Sequence, residues 1–235
     1  MTILHAKQDA MMNEPQQLVF DLPHLDAFEA EDFLVSRCNQ TAVDLVNRWP
    51  EWPAHAVVIT GPAGSGKSHL VSVWRRQSAA DVVAMADVTP ATVAQFQATG
   101  RLAIEDVAAG GDPERERLVF HLLNQARESK GQILITTRQA PGNLEIALPD
   151  LRSRMRALPV AEILPIDDAL LSGLLVKLFS DRQLGIDPGV IKYLTRHMER
   201  SAEAAREIVE RIDRLALATH RKVTRALAAD ALAQG

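Results

Sequence analysis

The run from Val57 to Leu70 constrains this chain more than any other. Val57-Val58-Ile59-Thr60 is an apolar, mostly β-branched segment that enters Gly61-Pro62-Ala63-Gly64-Ser65-Gly66-Lys67-Ser68, and an amphipathic stretch through Trp74 follows. G-x-x-x-x-G-K-S between a strand and a helix is the spacing of a phosphate-binding P-loop. Its glycines let backbone N–H groups turn inward around a phosphate, and the helix N-terminus adds positive partial charge. Lys67 is placed to reach the β- and γ-phosphates, and the Ser68 hydroxyl to hold Mg2+. Nucleoside di- or triphosphate binding follows.

Around that element, apolar segments alternate with helical patterns. Val82–Ala86 reads as a strand and Thr89–Gln97 as a helix opened by Pro90. Leu102-Ala103-Ile104 reads as a buried strand ending in Glu105-Asp106, and Asp112-Pro113 as the cap of a helix with Leu118, Leu122, Leu123 and Ala126 on its apolar face. Gln132–Thr137 and Leu158–Leu164 complete the strands. Upstream, Asn39 is expected to cap a helix carrying Ala42, Val43, Leu45 and Val46, with Trp49 and Trp52 packed at the strand entrance. Such alternation predicts an α/β fold, a mostly parallel sheet with helices on both faces.

Past Pro165 only helical spacing remains, with starts at Asp167, Asp187-Pro188, Ser201 and Thr224. Apolar stripes such as Leu171, Leu174, Leu175 and Leu178, or Ile208, Val209, Ile212 and Leu215, mark packed helices. The expected organisation is an N-terminal tail over 1–24, an α/β nucleotide-binding domain over 25–165 and a small all-α lid over 166–235.

Composition narrows the function classes. With 235 residues, 47% of them hydrophobic, the chain can bury a core, and a net charge of −4 argues against a strongly basic nucleic-acid binder. Cys38 is the sole cysteine, so no intramolecular disulfide forms and a reducing, cytoplasmic setting is expected. No apolar run has the length of a membrane span, and residues 1–15 lack the continuous apolar core of a signal peptide.

Three further groups bear on chemistry. Glu105 and Asp106 stand where a P-loop enzyme needs an acidic strand end, one as the metal-side acid and the other as a general base. Thr136 and Thr137 end the next strand, where a hydroxyl can meet a γ-phosphate. In Leu151-Arg152-Ser153-Arg154-Met155-Arg156 three arginines alternate. They fit a solvated face or an arginine finger donated to a neighbour's nucleotide, and spacing does not decide. The segment 16–23, Gln16-Gln17-Leu18-Val19-Phe20-Asp21-Leu22-Pro23, fits an edge strand or a peptide that docks Leu18, Phe20 and Leu22 into a partner's groove.

Taken in order, P-loop, acidic strand end, Thr-ended strand, Arg-rich turn and helical lid resemble an AAA+ ATPase of the DnaA initiator group, on the side of its regulatory inactivators. The more specific pieces are Gln17–Pro23, Glu31–Val35 with Asn39, Gly64–Leu70, Phe120-His121-Leu122-Leu123-Asn124, Leu148–Arg154, Lys177–Gln183 and Met198–Ser201. The resemblance implies ADP or ATP with Mg2+ as ligands. It places Gly61, Pro62, Ala63, Gly64, Ser65, Gly66, Lys67, Ser68 and His69 around the nucleotide, with Val35 and Asn39 beside it. Ser68 and Glu105 fall on the metal.

It also makes Gln17, Leu18, Phe20 and Leu22 a peptide for the β sliding clamp of DNA polymerase III, and Arg154 an arginine finger acting in trans on ATP held by DnaA. DNA would be met only indirectly, through the clamp; a homo-oligomer is left open, and no membrane is involved. The expected role is negative regulation of replication initiation, against the alternatives of a non-catalytic clamp-bound adaptor or a helicase-loader-type ATPase. Initiators continue into a DNA-binding helix-turn-helix domain. This sequence stops at Gly235, so Arg214, Arg221, Lys222 and Arg225 are expected to be solvated lid surface.

Three positions depart from the initiator pattern. Glu105 stands where Asp is usual, Arg138 where the sensor 1 Asp is expected, and Glu203 where the sensor 2 Arg is expected, with Arg200 and Arg206 a turn to either side. Weak intrinsic hydrolysis is the implied consequence.

Overall fold

The computed structural model describes residues 34–108 and 112–233. The peptide at 16–23, with Gln17, Leu18, Phe20 and Leu22, and the pieces at 31–33 therefore lie outside the described residues. Five parallel strands form one sheet in the order β2-β3-β4-β1-β5: β1 Ala56–Thr60, β2 Asp81–Ala84, β3 Arg101–Val107, β4 Gln132–Thr137 and β5 Val160–Glu162. β1 lies between β4 and β5, and every residue from Ala56 to Thr60 is buried. That burial on both faces is why its sequence is a continuous apolar run rather than an alternating one.

Helices cover both faces. On one, α1 (Gln40–Asn47) and α2 (Lys67–Ser78) pack Val46, Leu70 and Trp74 against Val57 and Ile59, with Trp52 stacked on Trp74 at 5.0 Å. On the other, α3 (Pro90–Thr99), α4 (Pro113–Ser129) and α5 (Pro149–Ala157) enclose Phe96, Val119, Leu122, Met155 and Ile135. A separate core fills the helical region, α6 (Asp168–Asp181), α7 (Pro188–His197), α8 (Ala202–Thr219) and α9 (Arg225–Ala233), around Leu175, Phe179, Leu194 and Ile212.

Helix starts follow their capping chemistry. Asp112, Asp167, Asp187 and Ser201 each accept a hydrogen bond from a backbone N–H in the first turn of α4, α6, α7 and α8. Thr89 and Thr92 close a reciprocal capping box on α3, and Pro90 occupies its first turn.

Several expectations need correction. Asn39 precedes α1 but makes no side-chain cap: its Oδ1 accepts from the Ser36 N–H at 2.8 Å and its Nδ2 donates to the Leu34 carbonyl at 2.9 Å. A buried amide tied to the loop behind it has nothing left for the helix ahead. The second strand stops at Ala84 because Met85–Asp87 turns into a short 3-10 segment. The last is limited to Val160–Glu162, an edge strand paired on one side only. The Arg-rich turn is helical, α5. On α4 the inward positions are Glu116, Val119, Leu122, Leu123 and Ala126, with Leu118 half-buried beside them.

Glu116 is the exception in that core. It is 2% exposed, and its two carboxylate oxygens accept the N–H groups of Ala147 and Leu148 at 3.1 and 2.7 Å. A buried carboxylate is tolerable only when so satisfied. Here it pins the entry to α5 onto α4.

Candidate functional site

The P-loop begins where β1 ends. The Gly61 N–H donates to the Thr137 carbonyl at 3.2 Å, tying the loop to the end of β4. A Cβ at Gly61 would lie 2.8 Å from the Ile163 carbonyl oxygen and 2.9 Å from Ser65 Oγ, so only glycine fits. Gly64 and Gly66 have φ of 70° and 97°, the left-handed region that turns the loop back on itself. Gly66 then leads directly into α2, whose first residue is Lys67.

Those dihedrals make a concave backbone cradle at a helix N-terminus, the arrangement that receives phosphate. Lys67 Nζ donates to the carbonyls of Gly61 and Pro62, both at 2.7 Å, which holds the ammonium across the mouth of the loop. Burial lowers its pKa below the ordinary lysine value, Asp106 and Glu105 pull it back up, and Arg138 adds to the lowering. Ser65 Oγ is buried with no hydrogen-bond partner, a polar atom suited to a phosphate oxygen. Pro62, Ala63, Gly64 and Ser68 are exposed and His69 is half-buried in the first turn of α2.

The acidic strand end divides in two. Glu105 is half-buried, and its Oε1 has no hydrogen-bond partner. Asp106 sits on a bulge: pairing of β3 with β4 runs in register to Ile104–Ile135 and resumes shifted at Val107–Thr137. Its φ is 55°, and its N–H donates to Thr136 Oγ1 at 2.9 Å. The bulge turns the Asp106 carboxylate outward, where Arg138 grips it with two hydrogen bonds, Nε to Oδ1 at 3.0 Å and Nη2 to Oδ2 at 2.8 Å.

Thr136 and Thr137, named as candidates to meet a γ-phosphate, are 2% and 0% exposed. Thr137 Oγ1 donates to the Gln139 carbonyl at 2.7 Å, and Thr136 Oγ1 receives the Asp106 N–H. Both hydroxyls shape the backbone at the strand ends. The residue at this edge that sequence reasoning undervalued is Arg138.

Residues 34–39 run along the seam between sheet and helical cap. Leu164 N–H donates to the Cys38 carbonyl at 2.8 Å, next to the Ile163 that abuts Gly61, and Leu34 approaches Gly173 of α6. Val35 packs against the core beneath α2, and Asn39 is 2% exposed. Across the loop, Ser201, the N-cap of α8, approaches Gly64, so the cradle lies between the ends of α2 and α8. Arg200 is paired with Asp168 at 2.8 Å, while Glu203 and Arg206 are exposed on the first turns of α8.

Arg154 is elsewhere. It belongs to the last turns of α5, and its charge acts, with that of Arg127, on His55, the residue just before β1. Its half-buried guanidinium sits 5.0 Å from the centroid of the Phe120 ring on α4. Among the described residues, no hydrogen bond or ion pair engages it.

The residues present fit a nucleotide with Mg2+. Gly61–Ser68 would hold the phosphates, Lys67 would supply their counter-charge, and Ser68 with Glu105 would face the metal. No cluster of at least three His, Cys, Asp or Glu suited to a metal occurs among the described residues. No described helix is long and apolar enough to cross a membrane.

No family model matches the chain. Among curated proteins, the chromosomal replication initiator protein DnaA of Thermomicrobium roseum is 30% identical over 138 residues, 57% of this chain and 29% of that protein. The match thus spans under a third of the relative's length. Among solved structures, domain III of the Thermotoga maritima replication initiation protein DnaA superposes with a TM-score of 0.68 at 19% identity, over 86% of this chain and 94% of that one. A replication initiator DnaA bound to AMPPCP and single-stranded DNA gives 0.67 at 19% identity, over 80% of this chain and 66% of that one. The Thermotoga maritima RuvB Holliday junction branch migration motor gives 0.65 at 14% identity, over 83% and 66%. What these likenesses share is architecture: this chain has the fold of a DnaA-like AAA+ ATPase domain, built round the P-loop at residues 61–68.

Proposed function

We propose that this protein is an Hda-type negative regulator of replication initiation. It binds ADP or ATP in its own P-loop, attaches to the β sliding clamp through Gln17–Leu22, and stimulates hydrolysis of ATP bound by DnaA. Nucleotide binding rests on the cradle and is supported by the AMPPCP reported for a structural neighbour. Clamp attachment rests on the sequence of 16–23 alone.

The observation that carries the trans role is the seat of Arg154. A guanidinium held over the Phe120 ring keeps its fork of N–H donors uncommitted, and charge-assisted donors are what a transferring phosphoryl group needs. Arg154 also stands by His55 at the start of β1, whereas the P-loop follows the end of that strand. On this reading it serves a neighbour's nucleotide rather than its own.

The test is hydrolysis of DnaA-bound ATP with clamp-loaded DNA. Native protein is expected to accelerate it, and Arg154→Ala to lose that acceleration while still binding ADP and the clamp. Undiminished stimulation by Arg154→Ala would sink the assignment and favour a non-catalytic adaptor.

A further inference from the structure

We infer that Arg138 is a latch on Asp106 that suppresses hydrolysis in this protein's own P-loop, leaving it a nucleotide-holding rather than a nucleotide-consuming site. The inference rests on the nucleotide-binding part of the reading above and is independent of Arg154.

Three placements carry it. First, Arg138 is next to the cradle: the Gly61 N–H bonds to the carbonyl of Thr137, the residue immediately before it. Second, Asp106 is delivered to the same edge by the β3 bulge and held there by Thr136 Oγ1. Third, the grip is a fork, with each carboxylate oxygen accepting one N–H from the same guanidinium.

The chemistry that this blocks is specific. In hydrolysis a water oxygen bonds to the γ-phosphorus and the bond from that phosphorus to the β–γ bridging oxygen breaks. ADP departs with the electron pair, and the water's proton needs an acceptor. Of the two acids at the strand end, the reading above gives Glu105 to the metal and leaves Asp106 as the base. A carboxylate gripped at both oxygens by one guanidinium is oriented by that fork rather than by the attacking water.

Arg138 and Asp106 are both exposed, at 63% and 49% of their side chains, so breaking the pair removes little stability. The latch can therefore be opened without unfolding the protein. Arg138→Ala is expected to hydrolyse ATP at least about tenfold faster than the native protein in single-turnover assays, within the range general bases provide. Arg138→Lys, which keeps the charge but loses the fork, should fall between the two. Arg138→Ala/Asp106→Asn should lose that gain, a reversal that a general loosening of the loop would not produce.

ADP binding is measured alongside by calorimetry. Loss of binding in the native protein would overturn the cradle reading and the latch with it. Intact binding with an unchanged rate in Arg138→Ala would overturn the latch alone. A slower rate in that variant would also overturn it, making Arg138 a contact of the transferred phosphate instead.

Discussion

Two arginines on this molecule have the same chemistry and opposite employment. Arg138, beside the cradle, gives two N–H groups, from Nε and Nη2, to Asp106. Arg154, on α5, is steadied by the face of Phe120 and, among the described residues, gives its donors to no hydrogen bond or ion pair. An ion pair consumes hydrogen-bonding capacity as it fixes a side chain. A cation–π seat fixes the side chain and leaves that capacity for a ligand. On the proposed reading, the contrast assigns restraint to the nucleotide cradle and action to the Arg154 end.

The sharpest way to break this comparison is to delete each working cation in turn. Arg154→Ala should reduce stimulated hydrolysis by DnaA about 10³-fold or more while ADP affinity is unchanged, read by phosphate release and calorimetry. Lys67→Ala should do the reverse at its own site, weakening ADP binding about 10- to 100-fold, the worth of a charge-assisted hydrogen bond. If Arg154→Ala weakened ADP binding as much as Lys67→Ala does, the two ends would not be separate sites.

A pH series sharpens the cradle's side. Burial lowers the Lys67 pKa, and a bound phosphate favours the protonated ammonium. ADP affinity is therefore highest below the lowered value and falls as pH rises through it, starting earlier on the alkaline side than an ordinary lysine would allow. Lys67→Ala should flatten that limb of the titration.

Gly61→Ala is expected to lower stability by about 1–3 kcal/mol in urea denaturation, because its methyl group meets the Ile163 carbonyl and Ser65 Oγ below contact distance. The smallest effect concerns His55. Burial chiefly, with Arg127 and Arg154, holds its pKa below the ordinary 6.5. Its contribution to stability is present above 6.5 and is lost as pH falls through the lowered value. Arg154→Ala should shift the His55 NMR titration part of the way back up, since burial remains, and Arg138→Ala should not move it.

Legibility in the sequence followed the range of the interaction. The P-loop was readable because motif, strand and helix are contiguous, and Gln132–Thr137 because a buried apolar run ends at a charged residue. The lid helices declared themselves through local caps at Asp167, Asp187 and Ser201. α5 did not, since arginines at alternate positions mimic a strand period while only Leu151 and Met155, four apart, mark its buried side.

The Asp106–Arg138 pair depends on the parallel register of β3 and β4 plus a bulge, neither of which is written locally. The one available signal was that two strands expected to be neighbours both end in charges, of opposite sign. The surroundings of Thr136 and Thr137 were not legible for the same reason. Their position at a strand end is local, but the partners that occupy their hydroxyls are supplied by the turn geometry.

One contact at the cradle has mechanical reach. α8 runs from Ala202 to Thr219, and its N-cap Ser201 rests near Gly64. An α-helix of that length spans about 27 Å, so a tilt of about 10° at the loop end carries the far end about 5 Å. The whole helical core is packed on this helix through Ile208, Val209 and Ile212. On the proposed reading, a nucleotide in the loop bears on the N-terminus of α8, and any shift there is magnified at the far end of the helical cap.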